Sequence, residues 1–576
     1  MNHTEHRPLI PIVVGVTGHR TLLTADKDSL YSAVYGQLCA LRERYPATPV
    51  IVLSSLAEGA DQLCAKAALE TGCALVVPLP MAPECYLEDF SPEGKALFCE
   101  LLPQAEHSFV VPAEEKPSSQ ASRGFLYRQA GIYIAMHSHI LLALWDGVEL
   151  RDPAGGGTFE TVDFMLHGGW RNAVDEHAAY FKSPQDGMVW HILTPRSGAQ
   201  SPSGQPFLLH ILSNGTKQEQ WPQALSETER FNQDVLRMPD LEACQQRAEA
   251  ELLGKEPSHA LPFHSRRLLA LFGVADGLSL QYRRLRLRVL RRLSGLSTVL
   301  VLLFLLYDEL ESDLMLPLYA LLLIFAFFLY RHTKKREYHR KYIQYRLFAE
   351  ALRVQFYWEI AGVDAKIWEQ YTWAQKDDII WIKEALAALD IAPPDVCGTL
   401  PDTILLLQSC WIDGQLAYHR AARHSKGMRL RQNGRIASAL LAFTVVVFAL
   451  TFIFEFFAGE LMLVVIPTDA VSKLLLIHEE QDITVRSLLK ILLGIAAAGT
   501  ALLSHYFSKL SLAVQVRDNA RMAGLYAMAQ KHLAQFDLLE DQAAVLQLLF
   551  HLGREAVVEN GNWMLDYLEQ SPDFVI

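Results

Sequence analysis

The sequence has few charged residues for a protein of its length. Only 20% of its 576 residues are Asp, Glu, Lys or Arg, whereas 51% are hydrophobic, and the mean hydropathy is +0.12. A single hydrophobic core rarely grows beyond about 250 to 300 residues. The composition therefore excludes a disordered chain and indicates several domains, at least one of which is unusually apolar.

Cysteine, glycine and proline are also sparse. The eight cysteines contain no Cys-x-x-Cys pair, so the sequence predicts reduced thiols without a zinc site or a disulfide framework. The 33 glycines and 26 prolines follow no period, which excludes a collagen-like chain. No Gly-x-x-x-x-Gly-Lys or Gly-x-Ser-x-Gly pattern is present, which disfavours P-loop ATP hydrolysis and serine hydrolysis. The polar residues 1–8 predict no signal peptide.

Four apolar runs without charged residues account for the high hydropathy, and each is close to the roughly 17 to 25 residues that cross a bilayer. The runs are Leu293–Tyr307, Leu314–Tyr330, Ile436–Phe454 and Ile491–Ser508. The alternative is a set of core helices in a large soluble bundle. Lys and Arg cluster before the first and third runs and after the second and fourth, whereas the connection Asp308–Asp313 has none. This asymmetry predicts a multi-pass membrane protein with both termini in the cytoplasm.

The basic clusters are thereby explained by topology, so with a net charge of −12 no direct contact with nucleic acid is expected. The sequence instead predicts that the chain contacts a lipid bilayer.

Short apolar segments alternate with helical patterns over residues 9 to about 215. Strands are predicted at Pro11–Val16, Val50–Ser54, Cys73–Pro78, His107–Val111, His139–Trp145 and Met188–Thr194, with helices at Ala25–Tyr45, Gly59–Thr71, Phe125–Met136 and Thr158–His167. This alternation predicts a doubly wound, Rossmann-like α/β domain whose ligands bind at the carboxyl ends of the strands.

The rest of the chain is predicted to be all-α, with four transmembrane helices and long cytoplasmic helices. Asp276-Gly277 before the first pair of apolar runs is echoed by Asp413-Gly414 before the second, which indicates two tandem modules. The predicted domains are residues 1–223, a helical linker 224–274, and the modules 275–400 and 401–576. A heptad-like seam over residues 338–360 indicates either packing within one subunit or a homo-oligomer contact.

The first candidate ligand-binding turn follows the first predicted strand. Gly15 and Gly18 would let backbone amides approach a phosphate, with Thr17 beside them, and Arg20 can add a charge-assisted contact. A plain tight turn is the alternative.

The second turn follows the second strand and leads into a helix. Ser55 and Gly59 make room for an anion or a ribose, and Glu58 or Asp61 can accept hydrogen bonds from sugar hydroxyls. Asp61 can equally be a favourable first-turn charge, and both interpretations stay open.

The third turn combines Asp146 at a strand end with a glycine-rich entry into a helix. Gly156, Gly157 and Thr158 form a phosphate-cradle pattern, and Glu160 follows in the first helical turn. A flexible loop with a threonine cap is the alternative. Three more residues should reach the same edge of the sheet: Arg128, Thr194 and Arg196.

These segments resemble the SLOG superfamily, a Rossmann-like group that includes the LOG phosphoribohydrolases and the DprA proteins. The resemblance is carried by Gly15–Arg20, Leu56–Asp61, Leu141–Gly147 and Gly155–Glu160. It implies a nucleotide or ADP-ribose-like ligand and no other cofactor. LOG enzymes end the pattern Pro-Gly-Gly-x-Gly-Thr-x-x-Glu in a catalytic Glu, where this chain has Thr161, and the leading Pro is missing. The departure weakens the enzymatic interpretation more than the binding one.

The helical part resembles SLATT modules, paired-span effectors of bacterial conflict systems, through its span pairs, Tyr345–Arg353 and Glu559–Trp563. The two resemblances imply an effector of a bacterial inner membrane, in which a nucleotide-derived signal gates or reorganises four spans as a pore-forming defence against phage. A membrane-tethered nucleotide hydrolase with Glu160 or Glu58 as acid/base is the alternative. A constitutive transporter is disfavoured because the spans hold few polar residues. His137 and His139 lack a nearby carboxylate or cysteine in the sequence, so no metal site is expected.

Overall fold

The computed structural model describes thirteen stretches of the chain, and the statements below concern these residues. They are residues 7–113, 120–149, 157–168, 187–196, 205–213, 221–256, 258–310, 314–371, 373–391, 400–457, 459–465, 484–537 and 540–568.

A mixed sheet of seven strands forms the centre of the N-terminal part. Its strands are β1 Ile12–Gly18, β2 Val50–Leu53, β3 Ala74–Leu79, β4 His107–Val110, β5 Ile140–Trp145, β6 Met188–Leu193 and β7 Leu209–Ser213. The order across the sheet is β4-β3-β2-β1-β5-β6-β7. Strands β1 to β6 pair in parallel and β7 pairs antiparallel with β6. The predicted Rossmann-like α/β fold is confirmed.

Helices cover both faces of this sheet. They are α1 Lys27–Arg44, α2 Ala60–Glu70, α3 Pro92–Leu101, α4 Gln120–His137 and α5 Thr158–His167. On one face, the core includes Leu38 of α1 and Phe98 of α3. On the other, Ile134 of α4 and Val162 of α5 pack against the sheet. Because both faces are covered, all six residues of β5 are buried, as its uninterrupted apolar sequence predicts.

The remaining described residues are almost entirely helical. The helices are α6 Gln223–Leu236, α7 Leu241–Leu252, α8 Phe263–Leu310, α9 Met315–Arg336, α10 Tyr338–Ala361, α11 Trp373–Leu389, α12 Leu400–Leu406, α13 Gly414–Phe457, α14 Val485–Lys509, α15 Leu512–Leu533 and α16 Gln542–Leu568. A π-helical segment at Leu407–Asp413 joins α12 to α13.

Among the described residues, four helical stretches are long and apolar enough to cross a membrane. They contain three of the predicted runs in full and the second run from Met315 onwards. Between 6% and 22% of the residues in each apolar window are buried. In α9, Leu321 is 65% exposed and Phe328 is 62% exposed. Such a continuous apolar surface fits a multi-pass membrane protein, because lipid rather than water can cover it.

Contacts divide the chain into two compact units. The first, here called the α/β unit, comprises Met1–Val274, Phe348–Leu400 and Gly553–Gly561. The second, here called the helical unit, comprises Ala275–Leu347, Pro401–Leu552 and Asn562–Ile576. This grouping departs from the order of the chain, because much of α10 and all of α11 belong to the α/β unit. The domain boundaries at 223, 274 and 400 stay a prediction.

Helix α11 and the residues after it contribute directly to the α/β unit. Ala388 and Ile391 lie in the same core cluster as Ile134. Asp390 lies 3.9 Å from His137 Nε2, and Lys366 Nζ lies 2.5 Å from the other carboxylate oxygen of Asp390. The structure thus brings to His137 a carboxylate that is distant in sequence, with Lys366 compensating its charge.

The two span pairs of the helical unit share local geometry. Glu337 separates α9 from α10 and Ser511 separates α14 from α15, both in the left-handed conformation with φ 49° and ψ 34°. Tyr282 packs on Tyr345 at 5.7 Å in the first pair, and His419 Nδ1 lies 3.2 Å from Asn519 Oδ1 in the second. Counted from the two Asp-Gly steps and from the two left-handed residues, these contacts occupy equivalent positions.

Candidate ligand-binding edge of the sheet

The strand order reverses at β1, which has β2 on one side and β5 on the other. In open α/β sheets, ligands bind in the crevice outside the carboxyl ends of the strands at such a reversal. The residues that leave β1 and β5 at this edge are His19 and Arg20, and Asp146 and Gly147. This edge therefore provides the frame in which each predicted site residue can be located.

His19 and Asp146 tie the two strand ends together. The backbone N–H of Asp146 donates to His19 Nε2 at 3.0 Å, and the N–H of His19 donates to Leu144 O at 3.1 Å. The Asp146 carboxylate accepts from the N–H of Val148 at 3.1 Å. Burial lowers the pKa of His19 against the opposing charge of Asp146. His19 is therefore a neutral imidazole whose Nε2 accepts, so its Nδ1 carries the proton.

Two of the predicted glycines permit a close backbone approach at this edge. Gly59 has φ +94°, and a Cβ there would lie 2.1 Å from the carbonyl oxygen of Arg20. A Cβ on Gly18 would lie 2.4 Å from Cβ of Ala60. The N–H of Ala60 donates to His19 O at 3.1 Å. Glycine is needed at both positions because the loop after β1 rests directly on the first turn of α2.

Asp61 and Ser55 lie beneath the second turn and are buried. The Ser55 hydroxyl donates to Pro78 O at 2.8 Å, which joins the ends of β2 and β3. Burial raises the pKa of Asp61 to about 7, against the lowering effect of a hydrogen bond from the backbone of Ala57 and the charge of Arg20. The geometry thus gives these two side chains contacts within the protein.

Glu58 also bonds to the protein. Its carboxylate accepts from the hydroxyl of Ser91 and, at 3.0 Å, from the N–H of Ser91. Ser91 caps α3 by accepting from the N–H of Gly94 at 3.1 Å. Burial would raise the pKa of Glu58, but these bonds and the charge of Arg20 outweigh burial and lower it. Glu58 is therefore an anchored carboxylate, which lines a cleft of about 780 Å³ together with Arg20 and Gly59.

Arg20 lies against the first turns of α4. Its guanidinium carbon is 4.7 Å from the centre of the Tyr127 ring, within the range of a cation–π contact. The Tyr127 hydroxyl donates to Asp89, and Arg123 pairs with Asp89 at 2.8 Å. Burial would raise the pKa of Asp89, but the bonds from Tyr127 and Arg123 dominate and lower it. This network positions an exposed guanidinium at the end of β1.

Arg128 and Glu160 lie together at the entry to α5. Arg128 Nε is 4.0 Å from Glu160 Oε1, and Glu160 Oε2 accepts from the N–H of Gly157 at 3.2 Å. Open space surrounds the position of a Cβ on Gly157, and Thr158 begins the helix. Thr161, which stands where LOG enzymes have glutamate, packs its hydroxyl against Gly131 of α4. Its side chain is buried between two helices.

The end of β6 supplies Thr194 and Arg196. Thr194 is fully buried, its N–H donates to Trp145 O at 2.8 Å, and its hydroxyl donates to Ile192 O. Arg196 is exposed, and its charge acts on His19. His191 on β6 donates through Nε2 to Trp145 O at 2.9 Å. Arg196 therefore belongs to the edge, whereas Thr194 belongs to the sheet.

The predicted site residues thus separate into two groups. The edge brings together Gly18, Arg20, Gly59, Arg128, Asp146, Gly157, Thr158, Glu160 and Arg196. The side chains of Ser55, Asp61 and Thr194 are buried below it. Thr17 lies within β1, where it pairs with Ala143 of β5. Gly15 lies inside β1, where a Cβ would meet Ser138 Oγ at 2.3 Å. Gly156 lies outside the described residues.

Three contributors were not among the predicted site residues: His19, Tyr127 and His191. His19 lies inside the first predicted turn, so its position could be predicted from the sequence, but its pairing with Asp146 could not. Within the part of the chain that the structure describes, no group of three or more His, Cys, Asp or Glu could hold a metal ion. His139 accepts from the N–H of Val13 at 3.0 Å, inside the sheet.

No family model matches the chain, and no curated protein matches it. Among solved structures, the chain is similar to DNA processing protein A (DprA) from Streptococcus pneumoniae, with 16% identity and a TM-score of 0.21. The match covers 34% of this chain and spans about half of the DprA chain, at 53%. At this similarity the match carries no argument about the fold, a ligand or an activity.

Proposed function

We propose that the α/β unit binds a nucleotide-derived ligand at the carboxyl edge of β1, β5 and β6, and that binding changes the state of the membrane-spanning helices. The observation that carries this proposal is the set of three arginines at that edge: Arg20 from the loop after β1, Arg128 from α4 and Arg196 from the end of β6. Arginine binds phosphate through paired, charge-assisted hydrogen bonds. Gly157 leaves the first turn of α5 open beside them.

The neutral His19 complements the arginines. Its Nδ1–H can donate to a phosphate or ribose oxygen, because Nε2 is already engaged by the Asp146 N–H. Asp146 can in turn accept from a ribose hydroxyl. A ligand that combines phosphate and ribose, such as an ADP-ribose-like molecule, matches this mixture of donors and acceptors.

The link to the membrane is covalent. Helix α8 is continuous over Phe263–Leu310, and it contributes its first residues to the α/β unit and its apolar run to the helical unit. A ligand shifts such an assembly only by binding one state better than another, and a tenfold preference supplies about 1.4 kcal/mol. The resemblances to SLOG and SLATT proteins support a role as a membrane-perturbing effector of a bacterial inner membrane in defence against phage.

Calorimetry with the full chain in neutral detergent micelles tests the binding step. Nucleotides, ADP-ribose derivatives and cyclic oligonucleotides form the ligand set. Arg20→Gln, Arg128→Gln and Arg196→Gln should each weaken binding about 10- to 100-fold, because a hydrogen bond to a charged group contributes about 1.5 to 3 kcal/mol. Arg247→Gln on the exposed side of α7 is the matched control and should leave affinity unchanged. Absence of binding for the whole set would overturn the proposal.

A second function is favoured by one observation, the 4.0 Å separation of Arg128 and Glu160. We infer from it a nucleotide hydrolase in which Arg128 holds phosphate and Glu160 acts as the acid/base. Glu58, the other predicted acid/base, is bound by Ser91 and is less available. Incubation of the full chain with nucleoside monophosphates and with NAD should then release free base or ribose phosphate, and Glu160→Gln should abolish the release. Binding without turnover would favour the sensor.

A further inference from the structure

A compact basic and aromatic face lies at the end of helix α9. Phe327, Tyr330, Arg331, Lys334 and Lys335 line a cleft of about 390 Å³. They follow one another at the spacing of a single helical face. The aromatic residues are the last of the second apolar run, and the cations begin immediately after it. Apolar and cationic surface thus meet within one cleft.

The three cationic side chains of this face are accessible to a ligand. Arg331, Lys334 and Lys335 are exposed, and none of them takes part in an ion pair within the described residues. Phe327 is 53% exposed. Cations in the last turn of a helix are favoured by its dipole, which by itself would explain their sign. That explanation requires neither three cations on one face nor the aromatic side chains.

The second span pair provides an internal comparison. Helix α14 ends at the same left-handed geometry as α9, with Ser511 in place of Glu337. Counted back from Ser511, the positions that correspond to the five cleft residues hold Ala501, Ser504, His505, Ser508 and Lys509. On the corresponding face, a membrane helix of this protein therefore ends and turns with one lysine, one histidine and no Phe or Tyr side chain. The three cations and two aromatic side chains at the end of α9 therefore exceed what the left-handed turn after the helix requires.

We propose that this face of α9 is a binding site for the phosphate headgroup of an anionic phospholipid. Arg331, Lys334 and Lys335 contact the phosphate, while Phe327 and Tyr330 pack beside the glycerol and the first acyl carbons. Basic clusters directly beside a transmembrane helix bind anionic headgroups, and aromatic rings prefer the depth of the interface. The inference rests on the membrane insertion in the proposed function, and it is independent of the nucleotide ligand.

Lipid binding to the full chain in neutral detergent micelles tests the site without the surface potential of a bilayer. Native mass spectrometry should detect bound phosphatidylglycerol, and phosphatidylcholine of the same chain length should bind much less. The triple variant R331Q/K334Q/K335Q should bind phosphatidylglycerol roughly 100-fold more weakly, because it removes the charge-assisted hydrogen bonds to the headgroup phosphate. The conservative variant R331K/K334R/K335R should retain binding.

The matched control is R429Q/R431Q/R435Q, which removes three exposed cations from α13. An equal loss in the two triple glutamine variants would overturn the site in favour of diffuse attraction. Displacement of the lipid by inorganic phosphate at comparable concentration would overturn the headgroup assignment in favour of free phosphate. A chain that stays in the soluble fraction of cells would overturn both this site and the membrane function. Normal membrane insertion with no lipid preference would overturn the site alone.

Discussion

Strand β5 and helix α9 are both continuous apolar segments, but they meet different surroundings. Every residue of β5 is buried among helices of the α/β unit, whereas in α9 large side chains such as Leu321 and Phe328 are more than 60% exposed. The α/β unit therefore stabilises its apolar residues by its own packing. The helical unit leaves its apolar surface to be covered by lipid. The same kind of sequence is thus buried by the protein itself in one unit and left exposed in the other, as fits a multi-pass membrane protein.

The test with the largest expected effect on this comparison introduces charge on the exposed apolar surface. Val445→Arg with Phe448→Arg in α13 should cost about 6 kcal/mol in a membrane, because each arginine at the centre of a span costs about 3 kcal/mol. Both residues are more than half exposed, so on a surface facing water the change would cost little. Carbonate-resistant membrane association measures the outcome. Met428→Arg, exposed on the same helix outside the apolar run, should have no effect.

A second test contrasts two glycines. Gly59→Ala should destabilise the α/β unit by about 4 kcal/mol, through a left-handed φ and a clash with the backbone of Arg20. Gly434→Ala in α13 meets nothing within 4 Å and should stabilise its helix by about 0.5 to 1 kcal/mol. Thermal unfolding of the full chain gives both values. Equal effects would show that the approach of the β1 loop to α2 is not required.

A third test uses the pKa of Asp61, which burial raises to about 7. The folded state holds this proton more tightly than the unfolded state, whose value is 3.8. Stability from this group is therefore complete below about pH 4 and is lost as the pH rises through 7. Relative to Asp61→Asn, the wild-type protein should lose roughly 2 to 4 kcal/mol between pH 4 and pH 8.

Wild type and Asp61→Asn must be compared with each other because His139 changes the pH dependence of stability in the opposite direction. Burial lowers the pKa of His139 to about 4, so its contribution to stability is lost as the pH falls through that value. This contribution cancels in the difference between wild type and Asp61→Asn. Denaturant unfolding at each pH measures the difference, and a flat profile would contradict the buried position of Asp61.

The smallest expected effect separates the two span pairs. Asp276 forms an ion pair with Arg346 at 2.7 Å, whereas the equivalent Asp413 accepts from the neutral Gln530 at 2.8 Å. Asp276→Asn should therefore cost about 1 kcal/mol more than Asp413→Asn, since hydrogen bonds between charged groups are the stronger ones. Unfolding at low and high salt would show the excess, and only the destabilisation caused by Asp276→Asn should become smaller at high salt.

Much of the fold could be predicted from local patterns. The strands β1, β2, β3, β4, β5 and β6 lie within a residue or two of their predicted positions, because buried parallel strands are short uninterrupted apolar runs. The four spans are equally easy to recognise, because each is a long apolar run without charged residues. Strand β7 and helix α3 were not predicted, and no residue of β7, which lies at the edge of the sheet, is fully buried. The sequence pattern of such an edge strand is weak, because water covers part of its surface in place of packed apolar side chains.

The candidate site was predictable in its turns but not in its partners. Gly18 ends β1, Gly59 lies between β2 and α2, and Asp146 directly follows β5, which locates all three at one edge. Glu58 has the chemistry of an acid/base, yet Ser91 engages it. Thr161 occupies an expected catalytic position, yet it packs against Gly131. Such pairings depend on side chains from elements that are distant in the chain, and no local pattern encodes them.

By itself, the sequence determined the alternation of strands and helices, the apolar length of the spans and the echo of Asp276 in Asp413. These properties depend on the periodicity and hydropathy of neighbouring residues. Only the tertiary structure decided that Ala388 and Ile391 pack in the α/β core, that His19 bonds to Asp146, and that Asp61 is buried with a raised pKa. Burial and charge pairing are properties of the space around a residue, and that space is filled by residues far away in the chain.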